Sequence, residues 1–402
     1  MKVLYFTFIE NPFAPETLGV MRNQVINLLK ILGKKHYNIS ITWLALVDEK
    51  FYRPDETQIS LLKEELRKCN VQFIYHTVKS GIINSRWSFA ESKLKEIIES
   101  YQPDIVHARV YPAGYVSLKV RQKFKFSYRV LFAPRGVYPE QVMERSDPLS
   151  GWFRYILWKQ NEKYLLQQSD LISCVSQPFI DHYKKIDKKA KLRYIPCCFN
   201  PDYAVSEETT NKDLKELIFK ETDFIFVYSG NLSARYSSEN LIVEFFSQIS
   251  KIMPEAALLI LTKSPVERIK SKLKAINLIH RVQFIGADPP EMFSYLSNCN
   301  AGLLLRRESL VNEVAMPTKF AEYLYAGLPV IVSPSLKGVS EFISATNTGI
   351  VIDPHSIKNI KPDYINSIKS IDRNNCKNQV ERFTVSNIAE MVYSEYLNLL
   401  DI

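Results

Sequence analysis

The sequence predicts an α/β protein of two doubly wound parallel sheets in tandem, with a cleft between them. Short apolar runs alternate with amphipathic helical stretches through both halves of the chain. At 402 residues the chain has the length of two domains rather than one. After Pro196 a polar stretch, Asn200–Lys220, interrupts the alternation, which then restarts.

In the first half, the apolar run Val3–Phe8 reads as a strand and precedes a helix over about Val20–Leu32. Strand Ile39–Leu46, helix Glu56–Cys69 and strand Val71–Tyr75 follow. Helix Ser88–Ser100 leads into strand Ile105–Ala108, and a helix near Gly114–Lys123 into strand Arg129–Ala133. A long helix, Gly151–Gln168, leads to strand Leu171–Val175. In the second half the order is strand Phe224–Tyr228, helix Ser238–Ile249, strand Ala257–Leu261, helix Pro265–Lys274 and strand Val282–Ile285. Helix Pro290–Cys299 and strand Ala301–Leu305 come next. Strands separated by helices imply parallel sheets covered on both faces, with ligands at the carboxyl ends of the strands. The domains are expected at 1–199 and 200–379, with 380–402 carrying a helix, Ile388–Leu400, that packs back towards the first.

The composition is that of a globular protein, 46% hydrophobic and 24% charged, with a net charge of +9. Lysines cluster at Lys184-Lys185, Lys188-Lys189 and Lys191, and from Lys119 to Lys125. Such clusters suit an anionic lipid surface or polyanionic substrate, and equally a solvated face. With no nucleic-acid-binding signature beside them, nucleic acid is not an expected partner. The six cysteines lack CxxC spacing and read as reduced, buried thiols, with Cys197-Cys198 structural. Glu10 and Pro12 interrupt the apolar N-terminus, and no run of eighteen apolar residues occurs. A cytoplasmic location is expected, with contact at the inner face of the plasma membrane.

The stretch from Met316 to Ser333 is the most informative. Pro317 fits a first helical turn, Gly327 a left-handed helix cap, Pro329 a stop and Val330–Val332 a short buried strand. Lys319 and Glu322, three apart, share a helix face. A helix start suits a diphosphate, a cation one turn in adds charge, and a carboxylate further along can accept both hydroxyls of a ribose. The same spacing suits a surface ion pair. Glycine is scarce, so Gly19, Gly136, Gly230, Gly286 and Gly327 are read as turns between strands and helices.

These residues together resemble a retaining glycosyltransferase of the large family four (glycosyl transferases group 1), bacterial polysaccharide-type. The resemblance rests first on Pro317, Lys319, Glu322, Tyr323, Gly327, Pro329 and Val330. Val227–Leu232, Arg281–Gly286, Gln102–Arg109, Ala133–Glu140 and Ile195–Cys198 fall in matching order. It implies two Rossmann-like domains facing a cleft, the GT-B fold. The implied activity is hexosyl transfer from a nucleotide-sugar, with UDP the expected nucleotide, to a glycan or lipid-linked acceptor in surface polysaccharide or glycolipid synthesis. No cofactor besides the donor substrate is implied, and without an Asp-x-Asp pair protein groups are expected in place of a metal.

By the resemblance, Glu322 binds the donor ribose, while Pro317, Thr318 and Lys319 face the diphosphate. Gly230 and Asn231 approach the phosphates from the other side with Arg235 as an added cation, and Gly19 lines the cleft. The family often carries a glutamate where this chain has Val314, and Glu313 is the substitute candidate facing the sugar. Paired N-terminal glycines are reduced to Leu18-Gly19, and a frequent histidine-aspartate pair is replaced by Pro134-Arg135. Arg109, Arg135 and Glu140 are candidates for the acceptor side, the arginines for its phosphate or pyrophosphate. Same-face attack needs no protein base; an inverting reaction would need one, with Glu140 and His107 as candidates and His107 equally read as a packed strand residue. Tyr111 and Tyr138 could stack on sugars, whereas Trp152 is expected in the core. A nucleotide-binding partner subunit without activity, or a nucleotide-sugar epimerase, would share the architecture.

Overall fold

The computed structural model describes residues 1–36, 38–48, 52–78, 83–204, 218–220, 223–232, 239–287 and 289–401. The chain forms two compact units, Met1–Cys198 with Val385–Ile402, and Phe199–Thr384. In the first unit β1 (Lys2–Phe8) leads to α1 (Pro15–Met21), a π-helical turn (Arg22–Ile26) and α2 (Asn27–Lys35). Then come β2 (Ser40–Asp48), α3 (Glu56–Arg67), β3 (Val71–Val78), α4 (Ile83–Tyr101), β4 (Ile105–Arg109), α5 (Val110–Phe124) and β5 (Arg129–Ala133). After α6 (Tyr138–Arg145) and α7 (Pro148–Gln168) follow β6 (Leu171–Cys174), α8 (Gln177–Ile186) and β7 (Leu192–Tyr194). The seven strands are parallel in the order β3-β2-β1-β4-β5-β6-β7.

The second unit runs β8 (Phe224–Ser229), α9 (Glu239–Ile252), β9 (Ala256–Leu261), α10 (Glu267–Ala275), β10 (Val282–Ile285), α11 (Pro289–Ser297) and β11 (Ala301–Leu304). It continues through α12 (Leu310–Glu313), α13 (Thr318–Tyr325), β12 (Val330–Val332), α14 (Lys337–Thr346), β13 (Gly349–Val351), α15 (Pro362–Lys369) and α16 (Arg373–Asn378). Its six parallel strands are ordered β10-β9-β8-β11-β12-β13. The chain then returns to the first unit as α17 (Val385–Leu399).

Strands covered on both faces must be apolar throughout. β1 buries its last six residues and β9 all six, so neither alternates. α17 adds Ile388, Ala389, Val392 and Tyr396 to the core around Trp43, whose indole N–H donates to Thr7 Oγ1 at 3.0 Å. All six cysteines are free and buried. Burial pushes the Cys198 thiol up to about 12, as expected of an inert structural thiol.

Several local expectations are corrected. Gly19 lies inside α1, which begins at Pro15, so the first helix starts before the expected Val20 and contains that glycine. A π-helical turn, not regular α-helix, follows it. Three-residue strands β7 and β13 escaped notice: β7 is short and mostly exposed, and β13 was passed over although Ile350–Ile352 is an apolar run. α6 and α8 were also missed, although Ser176 caps α8 by accepting from the Phe179 N–H at 3.2 Å. Trp152 is not in the core: it is 51% exposed.

Gly302 on β11 has a packing role. A methyl there would sit 2.5 Å from the Tyr323 ring. We therefore expect Gly302→Ala to destabilise the second unit by about 1–3 kcal/mol in urea unfolding. Gly286→Ala, with no neighbour closer than 3.6 Å, should unfold as the parent does.

Candidate active site

In the second unit the sheet order places the switch point between β8 and β11, where crossovers leave in opposite directions. β8 ends there at Ser229. Gly230 follows at φ +143°, backbone that side chains rarely adopt, and its N–H donates to Leu261 O at 3.0 Å. Asn231 is tied down: its carbonyl accepts from Tyr228 OH at 2.8 Å and its Oδ1 from Ser264 Oγ at 3.0 Å.

The helix that carries Lys319 and Glu322 has clear ends. Pro317 occupies the N-cap, one residue before the expected first-turn position, and no side chain caps the helix start. Thr318 is the first helical residue and is half-buried. At the other end Gly327 is left-handed at φ +71°, with its N–H on Leu324 O and that of Leu328 on Tyr323 O, both at 2.9 Å. These paired bonds satisfy the last carbonyls as a glycine-terminated helix should.

Burial then assembles the site. Tyr323 is fully buried and its OH accepts the Ser229 N–H at 2.8 Å, fastening α13 to the end of β8. Lys319 Nζ lies 2.8 Å from Glu322 Oε2 and 3.3 Å from Met292 Sδ, which also accepts from Ser229 Oγ at 3.0 Å. One cluster thus joins the Gly230 turn to Lys319 and Glu322. Glu322 is 3% exposed, and its Oε2 makes no aligned hydrogen bond among the described residues despite the ion-pair distance. A carboxylate oxygen has room for more than one donor, so this one, ion-paired to Lys319, can accept a further hydrogen bond. Glu313 ends α12, half-buried, while Val314 is packed away at 1% exposure. Beside it Asn312 donates to Arg307 O at 2.9 Å, and its Oδ1 is buried without a hydrogen bond among the described residues. Sequence reasoning missed Asn312; only the N-cap serine Ser309 hinted at a short helix there. Arg235 lies outside the described residues.

In the first unit the switch point lies between β1 and β4. Arg109 at the end of β4 is 2% exposed and donates to Glu10 Oε2, just past β1, at 2.8 Å. Burial disfavours the charged guanidinium, but the Glu10 carboxylate outweighs it and holds the Arg109 pKa raised. Ile9, Val110 and Arg135, following β1, β4 and β5, have φ of +79°, +62° and +64°. For β-branched Ile9 and Val110 that is strained backbone, and strain of this kind concentrates at functional sites. Gly136 marked the turn after β5, but no glycine marks those at Ile9 and Val110, so reading turns from glycine missed these two. Arg135 donates to Gln24 Oε1, and to Cys197 Sγ at 3.0 Å. The π-helical turn presents Gln24, 5% exposed, to this point. Tyr5, Gln24, His107, Arg109, Arg135 and Cys198 are among the residues lining a cavity of about 20 Å³, room for a water molecule.

His107 is packed, not poised. Its Nδ1 lies 2.7 Å from Tyr396 OH, and burial, aided by Arg109 and Arg135, lowers its pKa to about 3. Glu140 stands on α6, where its Oε1 accepts from Lys159 Nζ at 3.2 Å. Tyr111 is fully buried, its OH donating to Glu162 Oε1 at 2.6 Å, and Tyr138 stacks on it at 5.5 Å. Gly19 is exposed, with open space around it. The structure therefore gathers Gly230, Asn231, Lys319 and Glu322 at one switch point and Arg109 and Arg135 at the other. Gly19 and Glu140 make none of the contacts that define either group.

Two outcomes follow. Tyr323→Phe removes the acceptor of a buried N–H, and should cost about 1–3 kcal/mol of stability by thermal unfolding. Below pH 6.5 the unfolded chain protonates His107 while the folded chain, with a pKa of about 3, does not. The unfolded state then binds more protons, so stability falls as the pH drops from 6.5. A loss on the order of 3 kcal/mol by about pH 4 is expected from this group in urea titrations, with a shallower slope in His107→Gln.

Comparison with known proteins supplies the family. Residues 209–383 match the model described as glycosyl transferases group 1, and residues 51–203 that of glycosyltransferase family 4. A search of curated proteins finds no match. Among solved structures the chain is similar to sucrose-phosphate synthase from Thermosynechococcus elongatus, with 17% identity, TM-score 0.74, and 100% and 99% of the two chains covered. It is similar to a glycosyltransferase from Rickettsia africae, with 17% identity, TM-score 0.70 and coverage of 99% and 98%. It also resembles HepE of Anabaena in complex with UDP and glucose, with 13% identity, TM-score 0.67 and coverage of 99% and 100%. Both matched segments and the two doubly wound sheets agree: the chain is a GT-B glycosyltransferase and belongs to the group 1, family 4 type.

Proposed function

We propose that the enzyme moves a hexosyl group from a nucleotide-sugar, with UDP as the nucleotide, to a glycan or lipid-linked sugar in surface polysaccharide or glycolipid synthesis. The observation that carries the donor assignment is the buried Glu322 oxygen without an aligned hydrogen bond. A ribose brings two hydroxyl donors, and this oxygen, ion-paired to Lys319, can accept a further one. Lys319 and the start of α13, which no side chain caps, offer positive potential for a diphosphate. The backbone at Gly230 and Asn231, and the Arg235 side chain, would face the same phosphates. The Anabaena HepE structures hold UDP or UDP-glucose, and trehalose-6-phosphate from E. coli is bound with UDP-2-fluoro glucose, which supports UDP as the donor nucleotide.

As the sugar leaves, negative charge builds on the diphosphate while the sugar gains oxocarbenium character. Fixed cations and oriented N–H groups stabilise the leaving charge most in the transition state. Retention by same-face attack, with the leaving phosphate taking the acceptor proton, requires no protein base; the low pKa and packing of His107 support that route over base catalysis. Glu313 takes the place facing the transferred sugar. On the acceptor side, Arg135 offers an anion its guanidinium, while Arg109, held by Glu10, orders the strained loop ends. The lysine clusters Lys184–Lys191 and Lys119–Lys125 favour peripheral attachment to an anionic membrane at the cytoplasmic face. No helix among the described residues is long and apolar enough to cross a membrane.

Isothermal titration of UDP into Glu322→Gln should show binding weakened by about 2 kcal/mol, roughly 30-fold, with the parent's circular dichroism retained at the titration temperature. Undiminished affinity would remove Glu322 from the donor site. Turnover of UDP-sugar to an epimer without acceptor, or UDP binding without turnover across an acceptor panel, would favour an epimerase or a partner subunit instead.

A further inference from the structure

Helix α7 carries two apolar stripes. Gly151, Trp158, Glu162, Leu165 and Leu166 face inward and are buried. Leu149, Trp152, Phe153 and Leu157 recur at i, i+3, i+4 and i+8, and are 77%, 51%, 67% and 55% exposed. Met143 of α6, 42% exposed, lies beside Gly151 and extends this outer stripe. Trp152 and Phe153 pack edge to face at 5.2 Å on the solvent side. Scattered exposed apolar residues are ordinary; five gathered on one helix hairpin at helical spacing are not.

We propose that this stripe is a membrane-docking wedge that inserts into the interface of an anionic bilayer. The contact rests on the peripheral membrane association proposed above, but places its apolar anchor on α7 rather than in the lysine clusters alone. Charge and residue type select a bilayer over a protein partner. The wedge itself holds no charge, and Trp, Phe and Leu are the side chains that settle at the headgroup boundary. Along the same face of α7 the exposed Lys163 follows three turns after Trp152. Lys119 of α5 places its Nζ 5.0 Å from the Tyr164 ring, bringing the Lys119–Lys125 cluster alongside the same helix. Three of the nearby acids are used internally, Asp147 capping α7 through the Ser150 N–H at 3.1 Å and Glu140 and Glu162 both taking Lys159, while Glu144 is exposed next to Met143. Apolar tips beside a row of cations match acyl chains beneath anionic headgroups.

The test uses the full chain with vesicles of phosphatidylcholine alone or mixed with phosphatidylglycerol. Sedimentation with mixed vesicles should fall about tenfold or more in Trp152→Ser/Phe153→Ser, whose exposed positions leave the unfolding midpoint unchanged. The parent should show a blue-shifted tryptophan emission on binding that Trp152→Phe loses while still sedimenting. Vesicle binding that survives the double serine variant but falls when the exposed lysines of 184–191 become glutamine overturns the wedge and leaves the lysine-driven association standing. No vesicle binding by the parent overturns both. A parent dimer that the double variant converts to monomer, with vesicle binding unaltered, assigns the stripe to a second copy of the chain and also overturns the proposal.

Discussion

The donor-side site depends on one contact, the phenol of Tyr323 against the end of β8. Gly302 leaves room for the ring on the sheet, and the phenol oxygen accepts the Ser229 N–H. This fixes α13 in rotation and height. Its neighbour Glu322 is thereby driven below the surface, and Lys319, one turn earlier, is brought against Met292 beside the same strand end. Burial turns an ordinary i, i+3 ion pair into a specific acceptor. An exposed pair of this spacing contributes only a few tenths of a kcal/mol, roughly 0.2–0.5. Sunk beneath the surface, the carboxylate keeps an oxygen for which the described residues provide no aligned donor.

The first unit concentrates its unusual backbone in the same topological place. Ile9, Val110 and Arg135 take left-handed φ values at the carboxyl ends of three adjacent strands. Each such residue costs of order 1–3 kcal/mol and persists only where surrounding structure holds it. The Glu10–Arg109 pair, buried on its arginine side, bridges two of these ends, and Gln24 from the π-helical turn holds the third through Arg135. Charge, strain and an irregular helix all converge on the region where an open sheet of this kind accepts ligands.

Much of the molecule was legible in the chain. The strands Arg129–Ala133, Val282–Ile285 and Val330–Val332 follow from local apolar runs and match residue for residue. Gly327 is left-handed because the helix must stop before Pro329, a local constraint. The two sheets, their parallel sense and the family followed from such local signals taken in order. An element with little local signal went unread: β7, whose Arg193 and Tyr194 are exposed, is a strand through its pairing with β6.

What the sequence determined by itself was therefore the register of the chain: which segments are strands, which helix carries Lys319 and Glu322, and where it ends. It could not set burial, because exposure depends on what packs against each face. Trp152 and Trp158 are both aromatic residues of one helix, yet one faces solvent and the other the core. His107 and Arg109 lie on one strand, yet tertiary packing makes the first a neutral partner of Tyr396 and the second half of a buried ion pair. Only the folded surroundings decide such roles, since desolvation and partner geometry arise from residues distant in the chain.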